Sequence, residues 1–106
     1  KSLRWEGDKQ TVVNNFVFFG VQHRPDFDFT FKDITVAIEI KKGAQGSSLR
    51  EGIGQSVVYT THYDFCIYLF IDTSDDFKIH DSFSSDKVSA FVEDLWENHN
   101  VMFKVV

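Results

Sequence analysis

Two stretches of strict alternation lie back to back in this chain, and they restrict its fold more than any other feature. Phe27, Phe29 and Phe31 alternate with Asp26, Asp28 and Thr30, while Ile34, Val36, Ile38 and Ile40 alternate with Thr35, Ala37, Glu39 and Lys41. Successive side chains of a strand point to opposite faces, so a period of two means strand. Two such runs parted only by Lys32-Asp33 predict an antiparallel hairpin. With a two-residue turn, Phe31 faces Ile34, Phe29 faces Val36 and Phe27 faces Ile38, and every apolar side chain falls on one face. The same register sets Asp26 opposite Glu39, with Cβ atoms about 5 Å apart, which is unfavourable for two carboxylates unless a cation sits between them. A four-residue turn would pair Asp28 with Glu39 instead.

Other elements follow from the same kind of pattern. A short helix is expected from about Asp8 to Asn15, and Phe16–Val21, crowded with aromatic and β-branched residues, reads as a strand. Ser48-x-x-Glu51 is a capping-box pattern expected to open a helix that runs to about Thr61, with Leu49, Ile53 and Val57 as its buried stripe. Gly52 and Gly54 inside that helix cost about 1 kcal/mol each relative to Ala, so tight packing or the close approach of another backbone or a ligand is expected there. Phe65 to Ile71 is almost continuously apolar, as for an interior strand covered on both faces, with Cys66 as a small buried residue. Asp72 to Ser85 reads as a polar loop. Val88, Phe91, Val92, Leu95 and Trp96 have helical spacing, and Val101–Val106 closes the chain as a strand. The expected fold class is therefore α/β: one domain over residues 1–106, a mixed β-sheet flanked by helices, in the order αβββαβ followed by αβ.

Composition excludes several classes. A chain of 106 residues with 42% hydrophobic residues, twelve of them Phe, is a folded domain and not a disordered acidic tail. Its single cysteine makes no intramolecular disulfide, no run approaches the roughly 20 apolar residues of a membrane helix, and no signal peptide is visible. A cytoplasmic protein without membrane contact is expected. The chain opens on Lys1 and not Met, as expected of a segment of something longer. A net charge of -5 weighs against a broad non-specific grip on nucleic acid, less so where carboxylates gather around a metal that neutralises them.

Asp26, Glu39 and Lys41 set two carboxylates and an ammonium on one face of the hairpin, the donor set for a divalent metal beside a negatively charged substrate. Alternation alone also yields a solvated charged face. Against that reading, Thr30, Thr35 and Ala37 are small and suggest cover by another element, which leaves the charges clustered at one end.

Pro25-Asp26 followed by Glu39-Ile40-Lys41 resembles the PD-(D/E)xK nuclease superfamily, which includes restriction endonucleases, archaeal Holliday junction resolvases and RecB-like exonucleases. The expected element order resembles that family's restriction-endonuclease-like core over most of the chain. Gln55-Ser56-Val57-Val58-Tyr59 resembles the Gln-x-x-x-Tyr motif of RecB-like members, and at i, i+4 the two side chains share a helix face. The resemblance implies a metal-dependent nuclease cleaving phosphodiester bonds in DNA. In it Asp26, Glu39 and the Ile40 carbonyl hold Mg²⁺ or Mn²⁺, and Lys41 orients the attacking water or offsets phosphate charge. Gln55 helps orient that water or a ligand carboxylate, and Tyr59 contacts the substrate backbone or braces Lys41. Glu6 is the glutamate available as a further ligand from the first helix.

Other residues invite weaker readings. Asp28 is a surface aspartate or an alternative ligand; Lys42, next to the site, is the better candidate for a phosphate contact than Arg24 or Arg50. His23, His62, His80 and His99 have no paired spacing, so a zinc site is not expected. Tyr63, Tyr68, Trp5 and Trp96 read as core or interface. A homodimer is expected on the ground that so small an acidic domain offers little surface to a duplex. The alternatives are a catalytically inactive nucleic-acid-binding or assembly module of the same fold, and an RNA-directed nuclease.

Overall fold

The computed structural model describes residues 16–106 together with the backbone of the strand Ser2–Trp5. The expected helix at 8–15 and Glu6 lie outside the described residues. In chain order the elements are β1 (Ser2–Trp5), β2 (Phe16–Phe18), β3 (Val21–His23), β4 (Phe27–Phe31), β5 (Ile34–Gly43), α1 (Gly46–Tyr59), β6 (Phe65–Asp72), α2 (Lys78–Asp81), α3 (Asp86–His99) and β7 (Val101–Val105), with a single 3₁₀ turn at Ser82–Ser84 between α2 and α3.

The alternating runs form the expected hairpin in the expected register, with Phe27 against Ile38, Phe29 against Val36 and Phe31 against Ile34. Lys32 takes a left-handed conformation in its two-residue turn, with φ at 57°. β5 then pairs in parallel with β6, and β6 with β7. Each parallel step needs a crossover, and α1 and α3 supply it. The result is a five-stranded mixed sheet in the order β1-β4-β5-β6-β7, with β1 antiparallel on the β4 edge.

The first strand departs from expectation. Phe16–Val21 does not enter the sheet; Phe19 and Gly20 both take positive φ, 55° and 72°, and turn the chain back so that β2 and β3 form a separate two-stranded hairpin. Two successive positive φ values suit the tight hairpin turns that match strand twist. The segment 72–85 is likewise not all loop: the Phe77-x-Ile79 interruption becomes α2, which buries Ile79. The Asp72 carboxylate ties that segment down, accepting from the Ser74 N–H and hydroxyl and from the His80 N–H at 2.6–2.9 Å.

The core lies on one face of the sheet. Ala37, Cys66, Tyr68, Phe70, Val101 and Phe103 are buried there, under Leu49, Ile53 and Val57 of α1, Ile79 of α2, and Val92 and Leu95 of α3. All three helices therefore cover the face that carries Asp28, Ala37 and Glu39. The face that holds the alternating apolar residues is the opposite one. On it Val36 is buried, Phe27, Phe29, Ile38, Ile67 and Leu69 are half-buried, and Phe31, Ile34, Ile40, Ile71 and Met102 are exposed. β6 is thus packed under helices on one face only, among the described residues, and not on both as its continuous apolar run implied.

The expected capping box does not form. α1 begins at Gly46 with Gln45 as N-cap and no side-chain cap bond, so Ser48 lies inside the helix. Gly52 has a packing reason: a Cβ there would collide with the Tyr68 hydroxyl, which donates to the Leu49 carbonyl at 3.1 Å. Gly54 has no neighbour that a Cβ would meet.

Candidate functional site

Asp26 follows Pro25 at the entry to β4, and Glu39 lies in the middle of β5. The two-residue turn puts them on the same, helix-covered face at the same level. The Asp26 carboxylate is fixed by the backbone, because the Ile40 N–H donates to it at 2.8 Å. Glu39 is 8% exposed, and the Tyr59 hydroxyl donates to its Oε1 at 3.4 Å and to the Arg24 carbonyl at 3.1 Å. Burial first, and the Asp26 charge second, push the Glu39 carboxyl up from an ordinary 4.5 to about 7, while Lys41 and Tyr59 pull it back in part. The Tyr59 hydroxyl is itself pushed well up, by burial and then by the Glu39 charge.

Lys41, two residues on from Glu39, shares its face, and its ammonium stands 3.7 Å from Glu51 on α1. Glu51, Gln55 and Tyr59 recur at i, i+4 and i+8, so they form one stripe of α1 lying along β5. Tyr59 meets Glu39 at one end of the stripe and Glu51 meets Lys41 at the other. Gln55 stands between them, and its Oε1 is buried without a hydrogen-bond partner among the described residues. Leaving such an acceptor unsatisfied costs about 1–3 kcal/mol, so an orphan of this kind asks for an explanation.

Asp26, Glu39, Lys41, Gln55 and Tyr59 are therefore brought together. Tyr59 is 4% exposed and braces Glu39 rather than Lys41, with no free surface to offer a substrate. Lys42 is carried to the opposite face of β5, because strand alternation sends it away from Glu39 and Lys41. Asp28 is no surface residue: it is fully buried and accepts from the Tyr63 hydroxyl at 2.7 Å. His23 belongs to the hairpin, its Nε2 3.1 Å from the Phe18 carbonyl and its ring stacked on Phe16, which also stacks on His62 at 4.6 Å. Glu51 is the residue that sequence reasoning missed, because its spacing from Ser48 mimicked a cap. Its place four residues before Gln55 was the available signal.

Among the described residues, no three His, Cys, Asp or Glu side chains gather as a metal-ligand set. The cluster offers two carboxylates, with main-chain and amide oxygens beside them. No helix among the described residues is long and apolar enough to cross a membrane. Comparison of the chain with protein-family models, with curated proteins and with solved structures finds no match. The site is read from its own chemistry.

Proposed function

We propose that this domain is a Mg²⁺- or Mn²⁺-dependent nuclease that hydrolyses phosphodiester bonds, with DNA as its substrate, built on a restriction-endonuclease-like arrangement. The observation that carries the reading is the pairing of Asp26 with Glu39 under α1, where burial and mutual repulsion leave a carboxyl half-titrated near neutral pH unless a cation joins them. The donor set is all oxygen, as hard divalent cations prefer, and the orphaned Gln55 Oε1 adds an acceptor in need of a partner.

Asp26, Glu39 and the Ile40 carbonyl would hold the cation. Bound there, it supplies Lewis-acid charge at the reacting phosphate and makes water more acidic. The Ile40 N–H and the Tyr59 hydroxyl keep the two carboxylates in place, so little reorganisation is needed when substrate arrives. Lys41 offsets the charge that grows on the phosphate oxygens as the water oxygen bonds to phosphorus and one ester P–O bond breaks. To do so, its ammonium turns from Glu51 towards the phosphate; that pair is exposed on the Glu51 side and holds it weakly. Gln55 orients the attacking water.

One observation favours a second reading, a catalytically inactive nucleic-acid-binding or assembly module: among the described residues Asp26 and Glu39 are joined by no third metal-ligating side chain, and the Lys41 ammonium already faces Glu51. Cleavage assays separate the two. Labelled single-stranded DNA, double-stranded DNA and matched RNA are incubated with Mg²⁺, Mn²⁺ or EDTA, with Glu39→Gln and Lys41→Ala beside the parent. Metal-dependent cleavage lost in both variants supports the nuclease, and binding retained without cleavage in any arm supports the module.

A further inference from the structure

We propose that the open groove between α1 and α3 binds a hydrophobic anion, a single alkyl chain ending in a carboxylate. None of Asp26, Glu39, Lys41, Gln55 and Tyr59 lines it, so the inference does not depend on the nuclease reading. The two helices cover the same sheet face without closing on each other, and α2 and the 3₁₀ turn bound the space left between them, which measures about 710 Å³. That lies within the range of small-molecule sites. Ile53 of α1, Phe83 of the 3₁₀ turn, and Val88, Phe91 and Val92 of α3 give it apolar walls, and Phe91 is 47% exposed. Covering such walls with an alkyl chain removes apolar surface of both from water.

Gly54 keeps one wall open. It sits inside α1, where glycine is unfavourable relative to alanine, yet a Cβ there would meet nothing within 4 Å, so close packing within the protein does not account for it. It lines the groove, and a larger side chain at 54 would intrude on it. Charge selects the headgroup. Arg50 and Lys78 are the charged residues that line the groove; both are cations in a chain of net charge -5, and neither makes an ion pair among the described residues. They share one end: a Cβ on Gly46 would stand 3.6 Å from the Arg50 guanidinium, and Gly46 and Lys78 together line both the groove and an adjoining hollow. Asp75 and Asp76 line that hollow and not the groove. α1 begins at Gly46 without a side-chain cap, so its first N–H groups add positive potential at the same end. The Arg50 guanidinium offers a planar fork that pairs with a carboxylate through two hydrogen bonds.

Titration calorimetry with dodecanoate below its micellar concentration tests this, with decanoate and dodecanol beside it. The parent is expected to bind dodecanoate about tenfold more tightly than decanoate, which has two fewer methylenes to bury, and about tenfold more tightly than the uncharged dodecanol. Arg50→Gln should remove most of the preference for dodecanoate over dodecanol. Gly54→Leu should fill the groove and weaken dodecanoate at least about 30-fold while melting no lower than the parent, because it replaces a helical glycine. Phe91→Glu, at an exposed wall position, is expected to weaken it similarly. Met102→Gln, on the opposite sheet face, should bind as the parent does. A parent that takes up no dodecanoate overturns the proposal, as do folded Gly54→Leu and Phe91→Glu variants that bind as the parent, or a loss of binding in Met102→Gln alone. Equal affinity for dodecanol and dodecanoate overturns the anionic headgroup. A parent that sediments as a dimer, is dissociated by Phe91→Glu and takes up no dodecanoate gives the groove to a second copy instead.

Discussion

Glu39 makes the stability of the metal-free domain depend on pH in a direction opposite to that of most carboxylates. Its folded-state pKa is raised to about 7 from 4.5 by burial and then by Asp26. A raised folded value means that the folded state binds the proton more tightly, so this contribution is fully present below pH 4.5 and is lost as pH rises through about 7. The displacement corresponds to an upper bound of about 3 kcal/mol, and solvent reaching part of the carboxylate lowers it to about 2 kcal/mol. Glu39→Gln keeps the shape and removes the titration. In urea denaturation with EDTA, the parent should lose about 2 kcal/mol between pH 4.5 and pH 8 from this group, while Glu39→Gln should lack that loss and exceed the parent at pH 8 by a similar amount. Mg²⁺ at pH 8 should restore the parent and leave Glu39→Gln largely unmoved. Parallel pH profiles for parent and variant would refute the claim that burial beside Asp26 sets this carboxyl apart.

Further outcomes follow from the packing around the site. Gly52→Ala should destabilise the fold by about 2 kcal/mol, read as a lower urea midpoint, because its methyl group meets the Tyr68 hydroxyl across the helix–sheet contact. Tyr59→Phe should cost about 1–2 kcal/mol and lower metal-dependent cleavage about tenfold, since it frees Glu39 and leaves the Arg24 carbonyl without that donor. The Cys66 thiol, buried and pushed up to about 12, should resist iodoacetamide in the native state and react at once in urea; fast native labelling, read by mass, would show that α1 does not cover β6.

Much of the site was legible because strand alternation is local. Once Lys32-Asp33 is taken as a two-residue turn, the facing of Asp26 and Glu39 follows from arithmetic on residue numbers, and Gln55 and Tyr59 share a face by helix geometry alone. What is not local was misread. Ser48-x-x-Glu51 carries the right letters for a cap, but the helix starts three residues earlier, with Gln45 as its N-cap, and Glu51 turns towards Lys41, a partner ten residues back that only the β5–α1 crossover brings near. Asp28 looked like a surface residue because its alternation with Phe27 and Phe29 marks it as polar, and polarity does not say which face the helices take.

Given a two-residue turn, the sequence by itself determined the hairpin register and the level at which the carboxylates meet, and apart from α2 it determined the α/β order from β4 onward, since each depends on periodicity and a short turn. The small Thr30, Thr35 and Ala37 already pointed to cover on the face that carries Glu39, but only the tertiary structure showed what covers it: the helices settle there, where the small Ala37 and Cys66 and the glycine at 52 let α1 come close and the rings of Tyr68, Phe70 and Phe103 fill the space. That choice buries Glu39 and raises its pKa, and it leaves the alternating Phe and Ile residues facing outward.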